Sequence, residues 1–248
     1  MTDASNWSDL STRLTNALGV QVAPIAITFE SAVPSGVPAF DDPMPAPNEV
    51  DGRTGRVSAG CVFWMKSTDR TFRTVEEDHA NCSVGSWTHG FKSLDQVAGN
   101  GDVAALLESG WVTMEMIPMI TTVTEQPKAV VYGPLADATD PDVALLRITG
   151  RQLMVMKDAY PDLAIEGKPQ CHIVAMAKEH GTIAASTGCQ LSRVRTGMAN
   201  AEMTLAIPAS RIAEVVAKVE ATSECDNIVA RYAAADATRF ANNPAPRA

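Results

Sequence analysis

Apolar positions along the chain follow two different periods. Across residues 6–18, Trp7, Leu10, Leu14 and Leu18 recur at three- and four-residue steps, and Gly19 follows them. This pattern predicts an amphipathic helix closed by a glycine stop. Residues 21–30 carry Val22, Ile25, Ile27 and Phe29 among few polar neighbours and predict a strand. The Pro-rich stretch 33–50 then reads as a surface loop able to wall one side of a pocket. Residues 58–66 are short, apolar and free of proline, which predicts a helix capped by Ser58 with Cys61 in its first turn. A strand is expected over 70–75, and the polar run 76–85 reads as a loop leading into 87–91. Helical sequence over 93–107 is interrupted by Gly99, Asn100 and Gly101. Residues 128–132 and 151–156 read as strands, 170–180 as a helix, and 182–186 and 202–207 as further strands. Pro208 then opens a helix through Val219. The mixture predicts an α/β or α+β fold, a mixed sheet flanked by helices. Residues 1–241 are expected to form one compact domain or two closely packed halves, with 242–248 as a disordered tail.

Composition narrows the class. The chain has 248 residues, 46% hydrophobic and 20% charged, enough to bury a substantial core. Its 20 basic residues stand against 29 acidic ones, a formal net charge of −9. That balance opposes attraction to a phosphate backbone or an anionic membrane, so nucleic acid and membrane are not expected partners. The opening Met1, Thr2, Asp3, Ala4, Ser5 and Asn6 lacks a basic cluster and an apolar core, and no later apolar run reaches the ~20 residues that span a bilayer. A cytoplasmic location is the expectation. In that reducing compartment, five cysteines are expected as free thiols, metal ligands or a nucleophile, not as a disulfide framework.

The cysteines form no CxxC pair, so any metal site must be assembled by the fold from distant segments. Their contexts are suggestive. Cys61 follows Gly60, Cys82 lies in Asn81, Cys82, Ser83, Val84, Gly85, and Cys189 follows Gly188. Glycine beside cysteine lets the backbone approach a bulky inorganic group and leaves amides free to bond its sulfides. The opposing reading is that each cysteine is a small buried hydrophobe, and that reading is adopted for Cys225. Cys171, directly before His172 on a predicted helix, suits either role.

Taken in order, the chain resembles domain-of-unknown-function family 169, a group of bacterial and archaeal proteins. The resemblance covers most of the chain. It is carried by Pro24 to Phe29, by Gly60 and Cys61, by Glu77, Asp78, His79, Ala80, Asn81 and Cys82, and by Pro169, Gln170 and Cys171. Ser186 through Arg193, Thr196, Gly197, Glu202 and Met203 complete it. Ser83, Val84 and Gly85 depart from the Pro-Gly-Gly that follows the second cysteine in that family, and Gln190 and Leu191 replace a small, glycine-containing step. What the resemblance implies is a shared cysteine-lined site; it names no substrate.

Three or four thiolates favour an iron-sulfur cluster of the four-iron type, with zinc or heme as alternatives. If Cys61, Cys82 and Cys189 bind alone, one iron stays open for lyase or hydrolase chemistry on a small anionic molecule. If Cys171 binds too, the site is closed and suits electron transfer or sensing. His79 is a candidate acid or base, or else a hydrogen-bonding loop histidine, and Asp78 is a candidate to orient it or to cap the turn at Val84. Arg193 and Arg195 could clamp a carboxylate or phosphate, or sit on a solvated basic turn. A metal-free hydrolase with Cys82 or Cys189 as nucleophile and His79 as base is a further alternative. Phe63, Trp64, Trp87 and Phe91 are candidates for a pocket wall or for core. The methionine runs 114–119 and 154–156 read as packing, not as a copper site. Alternating Val and Ala over 208–219 fits either a homo-oligomer contact or core packing.

Overall fold

The computed structural model describes residues 6–42 and 61–241. Ser58 as a cap, the outer part of the Pro-rich loop and the 242–248 tail lie outside the described residues.

The first helix, α1 (Trp7–Leu18), forms as its pattern predicts. The Asn6 side chain accepts from the Asp9 amide at 3.0 Å, and Gly19 takes φ +66° to end it. Leu10, Leu14 and Leu18 face inward. The strands are β1 (Ile25–Glu30), β2 (Phe72–Thr74), β3 (Ala129–Pro134), β4 (Val143–Ile148), β5 (Ala164–Glu166), β6 (Ala184–Ser186) and β7 (Met203–Pro208). They join one mixed sheet in the order β2-β3-β1-β4-β7-β6-β5, antiparallel except for the β5–β6 pair. The fold is α/β.

β4 lies in the middle of the sheet and divides the core by its alternation. Ala144, Leu146 and Ile148 face one side, where they meet α1, α6 (Gly150–Ala159) and the start of α9 (Ile212–Ala241). Val143 and Leu145 face the other side, with Ile25, Ile27, Tyr132, Ala184 and Ala206. That second layer is covered by α2 (Cys61–Lys66) through Phe63 and Trp64, and by α7 (His172–His180) through Ile173, Val174 and Ala177. Cys61 and Cys171 pack at its margin, so the second layer is the one that carries the site.

Several expectations change. Residues 151–156 are helical, not a strand, because Thr149 and Gln152 form a capping box and Gln152, Val155 and Met156 fall on one buried helical face. The central strand β4 was hidden because its first four residues, 143–146, are all apolar and bury on both faces, with no alternation of polarity. The run 76–85 is not all loop: a 3₁₀ turn spans Glu76–His79, and α3 (Ser83–Thr88) begins right after Cys82, with α4 (Leu94–Val97) and α5 (Gly101–Glu108) following it. The helix after Pro208 runs on to Ala241. Its Val215, Val216 and Val219 are core, which accounts for the Val and Ala pattern there. Cys225, read as a buried hydrophobe, is exposed on that helix. Among the described residues no helix is long and apolar enough to cross a membrane.

Candidate metal centre

Four cysteines that lie far apart in sequence line one small cavity of about 30 Å³: Cys61, Cys82, Cys171 and Cys189. All four are free thiols. Each is delivered by the end of a helix. Cys61 opens α2, whose inward Phe63 and Trp64 fix its orientation. Cys82 is the N-cap of α3, and the Gly85 amide donates to its Sγ at 3.3 Å. Cys171 directly precedes α7, and Cys189 caps α8 (Gln190–Thr196). The Cys189 thiol donates to the Ser192 hydroxyl at 3.7 Å. N-cap positions favour side chains that accept backbone hydrogens, and thiolates share that character.

Valine, glycine, tryptophan, proline and leucine fill the remaining wall: Val84, Gly85, Trp111, Pro169 and Leu191, with Gln170 as the one amide. Burial pushes the Cys61 thiol well up, and Cys82, Cys189 and Cys171 push it further, which places the four sulfurs within electrostatic reach of one another. The Cys171 thiol is likewise raised, first by burial and then by Cys82, with the Thr88 hydroxyl partly opposing. The neutral thiol is thus favoured at Cys61 and Cys171 without a cation, and a bound metal would reverse that preference.

The loop around Cys189 is held rigidly. The Arg193 guanidinium donates to the Thr187 carbonyl at 2.8 Å, the Glu202 carbonyl at 3.2 Å and the Ala199 carbonyl. Gly188, at φ +87°, passes beneath it; a Cβ there would stand 2.9 Å from Arg193 Nη2 and 3.1 Å from Met198 Cε. The Gly188 amide donates to Ser186 Oγ at 3.1 Å, and that hydroxyl donates to the Gly167 carbonyl at 2.8 Å. Glu202 is tied to Arg147 of β4 by a bidentate pair, 2.7 Å for Nη2 to Oε2.

The structure thus brings together all four cysteines of interest and separates them from the other candidates. His79 is 1% exposed and does not line the cavity. It packs among Phe63, Phe91 and His89, with Nε2 at 3.0 Å from Thr74 Oγ1, and burial holds its imidazole well below the ordinary range. Its link to the site is its carbonyl, which accepts from the Cys82 amide at 3.1 Å. Asp78 caps the 3₁₀ turn at Val75, not a turn at Val84, accepting from the Val75 amide at 2.9 Å. Arg193 is engaged by carbonyls as described; the backbone of Arg195 lies in α8, and its side chain is outside the described residues. Phe63, Trp64 and Phe91 are core, and Trp87 is half-buried outside this cavity. Trp111 and Gln170 are the lining residues that the sequence reading missed. Gln170 was within reach of inference because it adjoins Cys171, whereas nothing in the pattern around Trp111 singled it out.

Among the described residues, no three His, Cys, Asp or Glu side chains stand close enough to hold a single metal ion. The donor set itself, four thiols in an otherwise apolar cavity with a backbone N–H already on one sulfur, fits a soft, sulfur-rich group.

The site defines an α/β protein with a four-thiol cavity assembled at the ends of four helices. The family model described as Uncharacterised ArCR, domain-of-unknown-function family 169, matches residues 13–218, and the chain belongs to that family. No curated protein and no solved structure matches it.

Proposed function

We propose that this protein binds an iron-sulfur cluster of the four-iron type through Cys61, Cys82, Cys171 and Cys189, and that it works in electron transfer or redox sensing. The carrying observation is that these four free thiols, drawn from four separate segments, line one cavity. Cysteines that each serve a different iron stand further apart than the ligands of one ion. Four soft thiol donors in an otherwise apolar cavity support a sulfur-rich group such as a cluster over a hard cation. When bound, such a group supplies one-electron chemistry. The chain contributes soft ligands, an amide N–H on Cys82 Sγ, and an apolar wall that limits water.

A second reading keeps Cys171 as a neighbour instead of a ligand, leaving one position for a small organic anion and lyase or hydrolase activity. One observation favours it: Lys168 directly precedes the lining Pro169, and its ammonium stands 4.8 Å from the ring centroid of the lining Trp111.

Anaerobic reconstitution with iron and sulfide, followed by absorption spectra and iron and sulfide analysis, tests the proposal. Matched iron and sulfide with broad absorption in the blue is expected. Cys61→Ser, Cys82→Ser and Cys189→Ser should each lose it. Loss in Cys171→Ser as well supports the closed site, whereas a retained cluster of altered spectrum supports the open one. Zinc without sulfide, or no metal at all, overturns both.

A further inference from the structure

Gln170 is 2% exposed and lines the cysteine cavity, yet its Oε1 has no hydrogen-bond partner, and its side-chain nitrogen donates to no described residue. Its backbone is engaged, the carbonyl accepting from the Ile173 amide at 3.4 Å as α7 begins. A primary amide offers two N–H donors and a carbonyl, and leaving the buried Oε1 unmatched is unfavourable. Such an amide is expected to find its partner in whatever fills the cavity.

The surroundings restrict what that partner is. Apart from the four cysteines, the other lining residues are Val84, Gly85, Trp111, Pro169 and Leu191, none of which presents a side-chain acceptor. Among the lining side chains, the acceptors that would face the Gln170 amide are therefore sulfurs. With no hydrogen bond to hold either end of the amide, a half-turn about its last bond presents the N–H groups to the cavity without breaking anything. Its position directly before Cys171 fixes its distance from that sulfur through the rigid start of α7.

We propose that the Gln170 side-chain amide donates a hydrogen bond to sulfur of the cluster held by the four cysteines and thereby raises its reduction potential. The inference rests on the function proposed above. A hydrogen bond to sulfur stabilises the reduced state more than the oxidised state, because the reduced state carries more negative charge. Gln170 adds this stabilisation without adding a charge, alongside the Gly85 amide already bonded to Cys82 Sγ.

The test compares the native chain with Gln170→Leu and Gln170→Met, each reconstituted anaerobically. Two quantities are read: the midpoint potential by spectroelectrochemical titration, and the shift of the iron-sulfur stretching bands between H₂O and D₂O by resonance Raman. Both variants are expected to load iron and sulfide, to show a more negative midpoint, and to lose part of the deuterium shift; the part from Gly85 remains. Equal midpoints and equal isotope shifts in native and variant proteins overturn the role of Gln170 while leaving the cluster in place. Variants that stay folded by circular dichroism but fail to load, when the native protein loads, also overturn it, since Gln170 would then serve assembly. Failure of the native protein to load defeats the underlying function and is distinguishable from either result.

Discussion

Arg193 illustrates how one side chain can read as a substrate clamp and act as a brace. Three carbonyls, of Thr187, Ala199 and Glu202, share its guanidinium, and together they fix the turn that presents Cys189. Removing it leaves these carbonyls to find other partners, so Arg193→Ala is expected to cost about 1–3 kcal/mol in urea unfolding and to reduce metal uptake. Gly188→Ala should act in the same direction through two routes: the +87° φ disfavours any L side chain, and the new Cβ meets Arg193 and Met198. Were Arg193 instead a ligand clamp, its loss would leave unfolding unchanged. The neighbouring Glu202 predicts a pH response. Burial alone would raise its carboxyl, but the bidentate Arg147 pair outweighs this and holds it below the ordinary 4.5. Its contribution is then complete above the unfolded value and fades as pH falls through the lower folded one. Glu202→Gln is expected to be less stable than native at about pH 7, and to lose less stability than native on acidification. Parallel acid-unfolding curves for the two proteins would remove this role.

Elements were legible where polarity and geometry agreed. α1 could be read from both its apolar spacing and its Asn6 and Gly19 ends, and β7 from an alternation that the sheet preserves. Where a segment is buried on both faces, as β4 is, polarity carries no period and the strand disappears into an apolar run. The misreading of 151–156 has the opposite cause. Val and Met suggested a strand, but the capping box that Gln152 makes with Thr149, two residues before the segment, starts a helix and outweighs the weak β preference of two or three residues. That assignment has a sharp consequence, because in a helix Met154 and Met156 stand on different faces. Met156 is fully buried and Met154 is 50% exposed. Met156→Ala is therefore expected to destabilise by about 2–5 kcal/mol, and Met154→Ala by roughly 0.5 kcal/mol or less, in the same denaturant titration. A strand reading would orient both methionines to one face and predict similar losses.

At the scale of the whole molecule, the four cysteines were readable as a set, but their convergence was not. Glycine neighbours and the ordered segments pointed to Cys61, Cys82 and Cys189. The sheet alone, by bringing α2, α3, α7 and α8 to one margin, adds Cys171 on equal terms and leaves His79 in the aromatic core. No local pattern encodes such tertiary placement, and His79 drew attention because loop histidines near cysteines so often serve chemistry. Cys225 provides the internal control, since it is exposed on α9 while the other four meet in the cavity. A group held by four segments binds the folded chain and not the unfolded one, so loading should raise global stability by about 4 kcal/mol where free ligand is roughly a thousandfold above its dissociation constant. The same linkage predicts a labelling pattern. A thiol reagent should modify Cys225 at equal rates in loaded and metal-free protein, whereas Cys61, Cys82, Cys171 and Cys189 should be protected together on loading, as mass spectrometry of the labelled peptides would read. Protection of three with continued labelling of Cys171 would favour the open site over the closed one. Protection of a single cysteine would leave no shared cluster, because one sulfur cannot tie four distant segments into a common thermodynamic unit.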